Sequence, residues 1–213
     1  MSVQVKTVGF EALVRRIAYW IMWSTCALLC VALALFSYRY LLGPATVPPV
    51  IANNVLKNPW LSVHVAGAAT ALLLGPLQFL SVLRARFGSL HRWIGRIYVV
   101  SCLVGGVAGF VLALGASTGP ISTIGFGSLA TFWIVTTSLA WRRAMQRRFT
   151  EHRAWMMRSF ALTFAAVTLR LYLPMVSFFP VHFDDAYRAI SFLCWMPNLV
   201  LVEFYLRRTW QNT

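Results

Sequence analysis

Charged side chains are scarce in this chain: 11% of 213 residues, against 59% hydrophobic, with a mean hydropathy of +0.69. No soluble domain of this length needs so much apolar surface, whereas a bundle of membrane-spanning helices does. Acidic residues are the rarest of all, with 5 Asp and Glu set against 19 Lys and Arg, for a net charge of +14. Cysteine is also sparse: Cys26, Cys30, Cys102 and Cys194 all lie inside apolar runs and imply no disulfide framework. Cys26 and Cys30 share a helix face, but two thiols in lipid make a poor metal site, and small hydrophobes is the simpler reading of all four. No stretch between the apolar runs is long enough to fold as a separate domain. A soluble redox domain is therefore excluded, and any electrons must come from a small molecule, a quinol or a partner protein. The first apolar run is too long for a signal peptide and lacks a cleavage site, so it reads as a retained span.

What remains is apolar length. Six runs of about 20 residues each suffice to cross roughly 30 Å of hydrocarbon. They lie near 17–41, 60–83, 93–115, 120–141, 154–179 and 187–206, and they make residues 1–213 one polytopic, all-α membrane domain. The basic residues alternate between connections. Lys6, Arg15 and Arg16 precede span one, Arg84, Arg86, Arg92 and Arg96 surround the second–third connection, and Arg142, Arg143, Arg147, Arg148, Arg153 and Arg158 crowd the fourth–fifth. Arg207 and Arg208 follow span six, while the other connections hold only Arg39, Lys57 and Arg188, with Asp184 and Asp185 beside the last. This pattern places both termini in the cytoplasm. The charge is thus topology, with the lipid bilayer and anionic headgroups at the cytoplasmic face as partners; nucleic acid is excluded. The outer connection from Leu42 to Pro59, with Gly43-Pro44, Pro48-Pro49 and Asn53-Asn54, reads as an extracytoplasmic loop.

Histidine occurs 4 times, and 3 of the 4 stand within or just before an apolar run. An ionisable residue there is a functional-site hypothesis by default. Two of the settings match: His91-Arg92-Trp93-Ile94-Gly95-Arg96 and His152-Arg153-Ala154-Trp155-Met156-Met157-Arg158. Each closes the cytoplasmic turn of a two-helix hairpin, which suggests a parallel repeat that would bring His91 and His152 to one depth around a central cavity. From His152 the helix face continues through Met156, Ser159, Thr163 and Ala166 to Arg170, about 27 Å away at 1.5 Å per residue. Arg170 should turn inward to an acidic group, a carbonyl or a bound anion. From His91 the face runs Gly95, Tyr98, Cys102, Gly105, Gly109. From His64 it runs Gly67, Ala68, Ala71, Gly75, where Gly75-Pro76 should loosen the helix just before Gln78.

The residues map to an inner group (His91, His152, Tyr98, Ser159, Gln78) and an outer one (His64, Arg170, His182). Imidazoles beside columns of small residues are what a haem held between helices requires, with an arginine to pair its propionates. On that reading His91, His152 and His64 are metal ligands and Tyr98 and Arg170 line the cofactor. Plainer readings stand beside it. Gly105-x-x-x-Gly109 is an ordinary helix-packing motif, His91 and His152 suit the headgroup region, and His182 suits a solvated loop. Glu203 stands four residues before Arg207, an ion-pair spacing. Trp93, Trp141, Trp155 and Trp210 fit an interfacial belt.

Several strings are familiar together: Val63-His64-Val65-Ala66-Gly67, Leu74-Gly75-Pro76-Leu77-Gln78-Phe79, His91-Arg92-Trp93-Ile94-Gly95-Arg96-Ile97-Tyr98, and His152 to Thr163 continuing through Thr168-Leu169-Arg170-Leu171. Over roughly residues 55–175 they resemble a bacterial family of membrane proteins catalogued as domain of unknown function 2306. The resemblance implies a polytopic inner-membrane protein and brings no activity. More distantly the chain resembles transmembrane b-type cytochromes, including ascorbate-dependent ferric reductases, which have a four-helix core with histidines at both faces. That likeness implies a core of spans two to five, with His91 and His152 as inner ligands of haem b; span four lacks histidine, which leaves the outer pair incomplete. The expectation is therefore a b-type haem protein moving electrons across the membrane. Its rivals are a transporter or small-molecule-binding protein that uses Arg170 and the intramembrane histidines, and a non-catalytic membrane scaffold.

Overall fold

The computed structural model describes the backbone of Ser2–Gln211 and the side chains of all of these except residues 2–12, 15, 44, 210 and 211. Lys6, Arg15 and Trp210, assigned above to the interface, fall outside the described side chains. Helices α1 (Ser2–Tyr38), α2 (Pro49–Ala52), α3 (Lys57–Leu74), α4 (Ser81–Arg86) and α5 (Gly88–Leu114) are followed by α6 (Pro120–Met145), α7 (Phe149–Thr163), α8 (Ala165–Met175), α9 (Phe183–Leu193) and α10 (Met196–Gln211). No strand occurs among the described residues. Among the described residues six segments are long and apolar enough to cross a membrane: Arg16–Leu41, Lys57–Phe79, Gly88–Leu114, Pro120–Met145, Phe149–Phe178 and Phe183–Thr209. In lipid the backbone must satisfy its own polar groups, which leaves helices as the form these runs adopt.

Three spans are interrupted, two of them beside prolines. Span two ends at Phe79 rather than 83, because Pro76 has no N–H to continue the ladder. The chain tightens into a 3-10 turn over Pro76–Phe79, extends at Leu80 (φ −69°, ψ 115°) and restarts as α4. Span six breaks between α9 and α10 at Cys194-Trp195, ahead of Pro197. Span five breaks at Phe164, between α7 and α8. The breaks in spans five and six are laced together: the Asn198 amide donates to the carbonyls of Cys194 (3.0 Å) and Ala161 (3.3 Å) and to Thr168 Oγ1 (3.2 Å), while Thr168 donates to Cys194 O. Spans three and five begin earlier than hydropathy alone suggests, so His91 and His152 sit in the first turns of α5 and α7.

In the bundle α3 packs on α5, α5 on α6 and α6 on α7; α1 lies against α3, α9 against α6 and α10 against α7. Between helices in lipid the hydrophobic effect gives no drive, so close approach at small residues carries the association. Gly67 and Gly105 provide it. A Cβ on Gly67 would fall 2.8 Å from Gly105 N, and one on Gly105 would fall 2.9 Å from Ala68 N. The long connection between spans one and two contains α2 and is tied down over the end of the bundle. Asn54 Nδ2 donates to Leu112 O (2.7 Å) and Ser117 Oγ to Val50 O (2.9 Å).

Gly105→Ala is expected to lower unfolding free energy by about 1–3 kcal/mol, the usual range for overpacking. Gly127→Ala should be tolerated, because its added Cβ would meet nothing nearer than 3.9 Å. Thermal unfolding of both variants in detergent checks the contrast.

Candidate ligand-binding site

A cavity of about 230 Å³ lies among spans two to six, at the end of the bundle away from the basic connections. Leu61, Val65, Leu112, Phe126, Leu129 and Leu169 give it apolar walls, and Val50, Ile51 and Asn54 of the long connection border it. Its polar lining is small: His64 from α3, Trp133 from α6, Thr163 and Arg170 from span five, Tyr187 from α9, and Tyr40, with Asn54 and Ser117 from the connections. Arg170 is its cation, and no Asp or Glu lines it among the described residues.

The histidine is held in a defined state. His64 Nδ1 lies 2.8 Å from Gly105 O. A carbonyl oxygen only accepts, so Nδ1 carries the hydrogen, and in the neutral ring Nε2 is left as an acceptor. The ring rests on Gly109, whose Cβ, were there one, would be 2.9 Å from Nδ1. Arg170 donates from Nη1 to Ala166 O (2.9 Å) and from Nη2 to Ser37 Oγ of span one (2.8 Å). This uses two of the five N–H groups of a guanidinium. The sequence placed Arg170 facing inward toward an acidic group, a carbonyl or a bound anion; among the described residues a carbonyl and a hydroxyl hold it.

Beneath the cavity lies a closed polar network. Thr163 Oγ1 donates to Ser159 O (3.0 Å) and accepts from Trp133 Nε1 (2.9 Å). With its one hydrogen so committed, Thr163 also accepts from Tyr98 OH (2.9 Å). Tyr98 must then accept from Ser159 Oγ (3.1 Å), and Ser159 from Thr137 Oγ1 (2.7 Å). Tyr98, Ser159 and Thr137 are fully buried. The sequence put Ser159 and Thr163 on one face of span five and grouped Tyr98 with Ser159, and the three meet here; Thr137 and Trp133 were missed, because span four carries no ionisable residue to draw attention to it.

At the basic end, His152 Nδ1 lies 2.8 Å from Ala140 O, so it too carries its hydrogen there. His91 has Arg84, His152 and Arg92 as ionisable neighbours, and its Nδ1 is buried with no partner among the described residues. His182 is exposed at the start of α9, as its loop setting suggested. The ion pair read between Glu203 and Arg207 is replaced by another: Glu203 takes a two-point bond from Arg158 across the bundle, with Nη2 to Oε2 at 3.0 Å and Nε to Oε1. A planar guanidinium matches both carboxylate oxygens at once, which a neighbour on the same helix does not. Trp93 and Trp141 are exposed as a belt requires, and Arg96 and Arg158 lie 5.0 and 4.5 Å over the rings of Trp93 and Trp155.

These positions bear on the haem expectation. A macrocycle needs a flat slot, and the small-residue columns offered one. They are consumed instead by Gly67 against Gly105, Gly109 against His64, and Gly95 against Gln78. Tyr98 is closed within its own network, the cavity touches His64 but neither His91 nor His152, and its volume lies below the roughly 300–1,000 Å³ of pockets for drug-sized ligands. The arrangement does not fit a haem between two histidines.

What fold and site define together is an all-helical, six-span integral membrane protein with a small, mostly apolar cavity bearing one cation and one imidazole. The chain belongs to the family described as "Predicted membrane protein (DUF2306)", whose model matches residues 61–206, spans two to six. No curated protein matches the chain, and no solved structure does.

Tyr98→Phe removes the phenol that bridges the Ser159 and Thr163 hydroxyls and leaves the Ser159 hydroxyl hydrogen without its partner. The expected loss is about 1–3 kcal/mol, measured by denaturant unfolding in mixed micelles; an unchanged midpoint would mean the network contributes nothing net.

Proposed function

We propose that this protein binds, and in the fuller reading transports, a small amphipathic molecule with an acidic head, in the cavity among spans two to six. The observation that carries the reading is Arg170, the cation of a cavity without a carboxylate among its described lining residues. It stands in one lining with His64, whose Nε2 is left as an acceptor. An intramembrane arginine so placed attracts an anion, the leucine-rich walls suit a short apolar body, and the imidazole suits a hydroxyl or a shared proton. The interrupted spans favour movement, since transporters bind at broken helices. Spans two to five form the functional core on this reading. By the positive-inside rule the basic connections and both termini face the cytoplasm of a bacterial inner membrane, and the cavity lies in the outer half.

The test is thermal unfolding of the detergent-purified protein titrated with straight-chain monocarboxylates from butyrate to decanoate. One window of chain length should stabilise it saturably, by about 2.7 kcal/mol at a hundred times Kd. Arg170→Leu should abolish the response, and alcohols of the same length should not reproduce it. Equal responses of wild type and Arg170→Leu, or none at any length, would sink the reading. An absorption spectrum, oxidised and dithionite-reduced, is expected to be featureless in the visible; a Soret band with sharp reduced bands would restore haem b and electron transfer as the function.

A further inference from the structure

A second group of polar side chains gathers at the basic end, around the break in span two. Gln78 sits in the 3-10 turn after Pro76 and is only 7% exposed, yet its Nε2 has no hydrogen-bond partner among the described residues. Arg84 Nη1 donates to the backbone carbonyl of Gln78 (3.0 Å), and on the side chain Gln78 Oε1 lies 3.2 Å from where a Cβ of Gly95 would stand. Gly95 is one turn beyond His91 on the same face of α5. Arg84 and His152 are both ionisable neighbours of His91, whose Nδ1 is likewise buried and unpartnered.

An unmet buried donor is costly, and native proteins that retain one meet it with water, an ion or a ligand. Here an amide N–H₂ and an imidazole nitrogen are without partners, Arg84 is bonded to the backbone of Gln78, and Arg84 and Arg92 add positive charge to the surroundings of His91, with no carboxylate among that ring's ionisable neighbours. A group that supplies several acceptor oxygens and negative charge satisfies all of them. The level is that of the lipid headgroups, since exposed Trp93 on the adjoining turn carries Arg96 over its ring.

We propose that Gln78, His91 and Arg84, with His152 alongside, form a binding site for a phosphate oxyanion at the basic face. The oxyanion comes either from an anionic phospholipid headgroup or from free phosphate. The site is separate from the cavity that contains Arg170 and does not depend on what that cavity binds.

The experiment compares thermal unfolding in dodecyl maltoside with added inorganic phosphate, short-chain phosphatidylglycerol or short-chain phosphatidylcholine. Wild type should be stabilised by phosphate if the source is soluble, or by phosphatidylglycerol more than phosphatidylcholine if it is lipid. Gln78→Leu and His91→Phe should each weaken the apparent affinity for the effective probe at least tenfold. Arg170→Leu and Arg142→Ala should respond as wild type does. Gln78→Leu carries a second readout: because it removes an unmet donor and keeps the volume, its unfolding temperature without probe should equal or exceed that of wild type. A merely structural glutamine would instead lower it. No stabilisation by any probe, equal effects of the two lipids with no effect of phosphate, loss of response in Arg142→Ala, or an undiminished response in Gln78→Leu would each overturn the proposal.

Discussion

The contact of Gly67 with the backbone of Gly105 is the constraint from which most of this interior follows. It brings α3 and α5 together at a distance that no side chain larger than hydrogen permits, in a solvent that gives apolar helices little reason to associate. Only at that separation does His64 Nδ1 reach the carbonyl of Gly105 and its ring lie on Gly109. The same principle recurs one level down, where Gly95 makes room for Gln78. The glycine columns are therefore used up by neighbours: Gly67 and Gly105 by each other's backbone, Gly109 and Gly95 by the side chains of His64 and Gln78, and Gly75 by the ring of Phe160. A haem would compete for the same space.

Polar groups in the middle of the bundle are closed on one another. Thr137, Ser159, Tyr98, Thr163 and Trp133 form a chain in which the carbonyl of Ser159 fixes the direction of every hydroxyl. Thr168 and Asn198 meet carbonyls at the breaks of spans five and six. Burying such groups without partners is costly, and satisfied networks of this kind also lock one packing arrangement. Spare hydrogen-bonding capacity is concentrated toward the two ends: at Arg170 and His64 on one side, at Gln78 and His91 on the other. Binding chemistry belongs where the interior has not already met its own needs.

The two histidine-headed hairpins share more at their surface than in their interior. Trp93 with Arg96 and Trp155 with Arg158 repeat one arrangement, a guanidinium over an indole ring one turn or less away. The histidines diverge: His152 is committed through Nδ1 to Ala140 O, and the corresponding atom of His91 is not. Span one adds a further asymmetry. It precedes the residues matched by the family model, yet its Ser37 holds Arg170 and its Tyr38 bonds Thr70 of α3 at 2.8 Å. The arginine at the cavity is thus positioned partly by a helix outside the matched region.

Hydropathy and the alternation of arginines were enough to show an all-helical, six-span protein, because the bilayer imposes length and backbone closure on any sequence that enters it. Helix periodicity was enough to put Ser159, Thr163 and Arg170 on one face, and the scarcity of ionisable residues in the spans was enough to single out His64 and Arg170. Tertiary structure alone decided what those faces meet. Periodicity fixes the direction of a side chain about its own axis but carries nothing about which helix lies opposite or how near it comes. So Thr137 and Trp133, unremarkable on span four, became visible only as partners of Tyr98, and Glu203 proved to belong to Arg158 rather than Arg207. The small-residue columns were equally compatible with a cofactor slot and with helix contact. The separation of α3 and α5, a property of two segments packed together and of neither alone, decided between them.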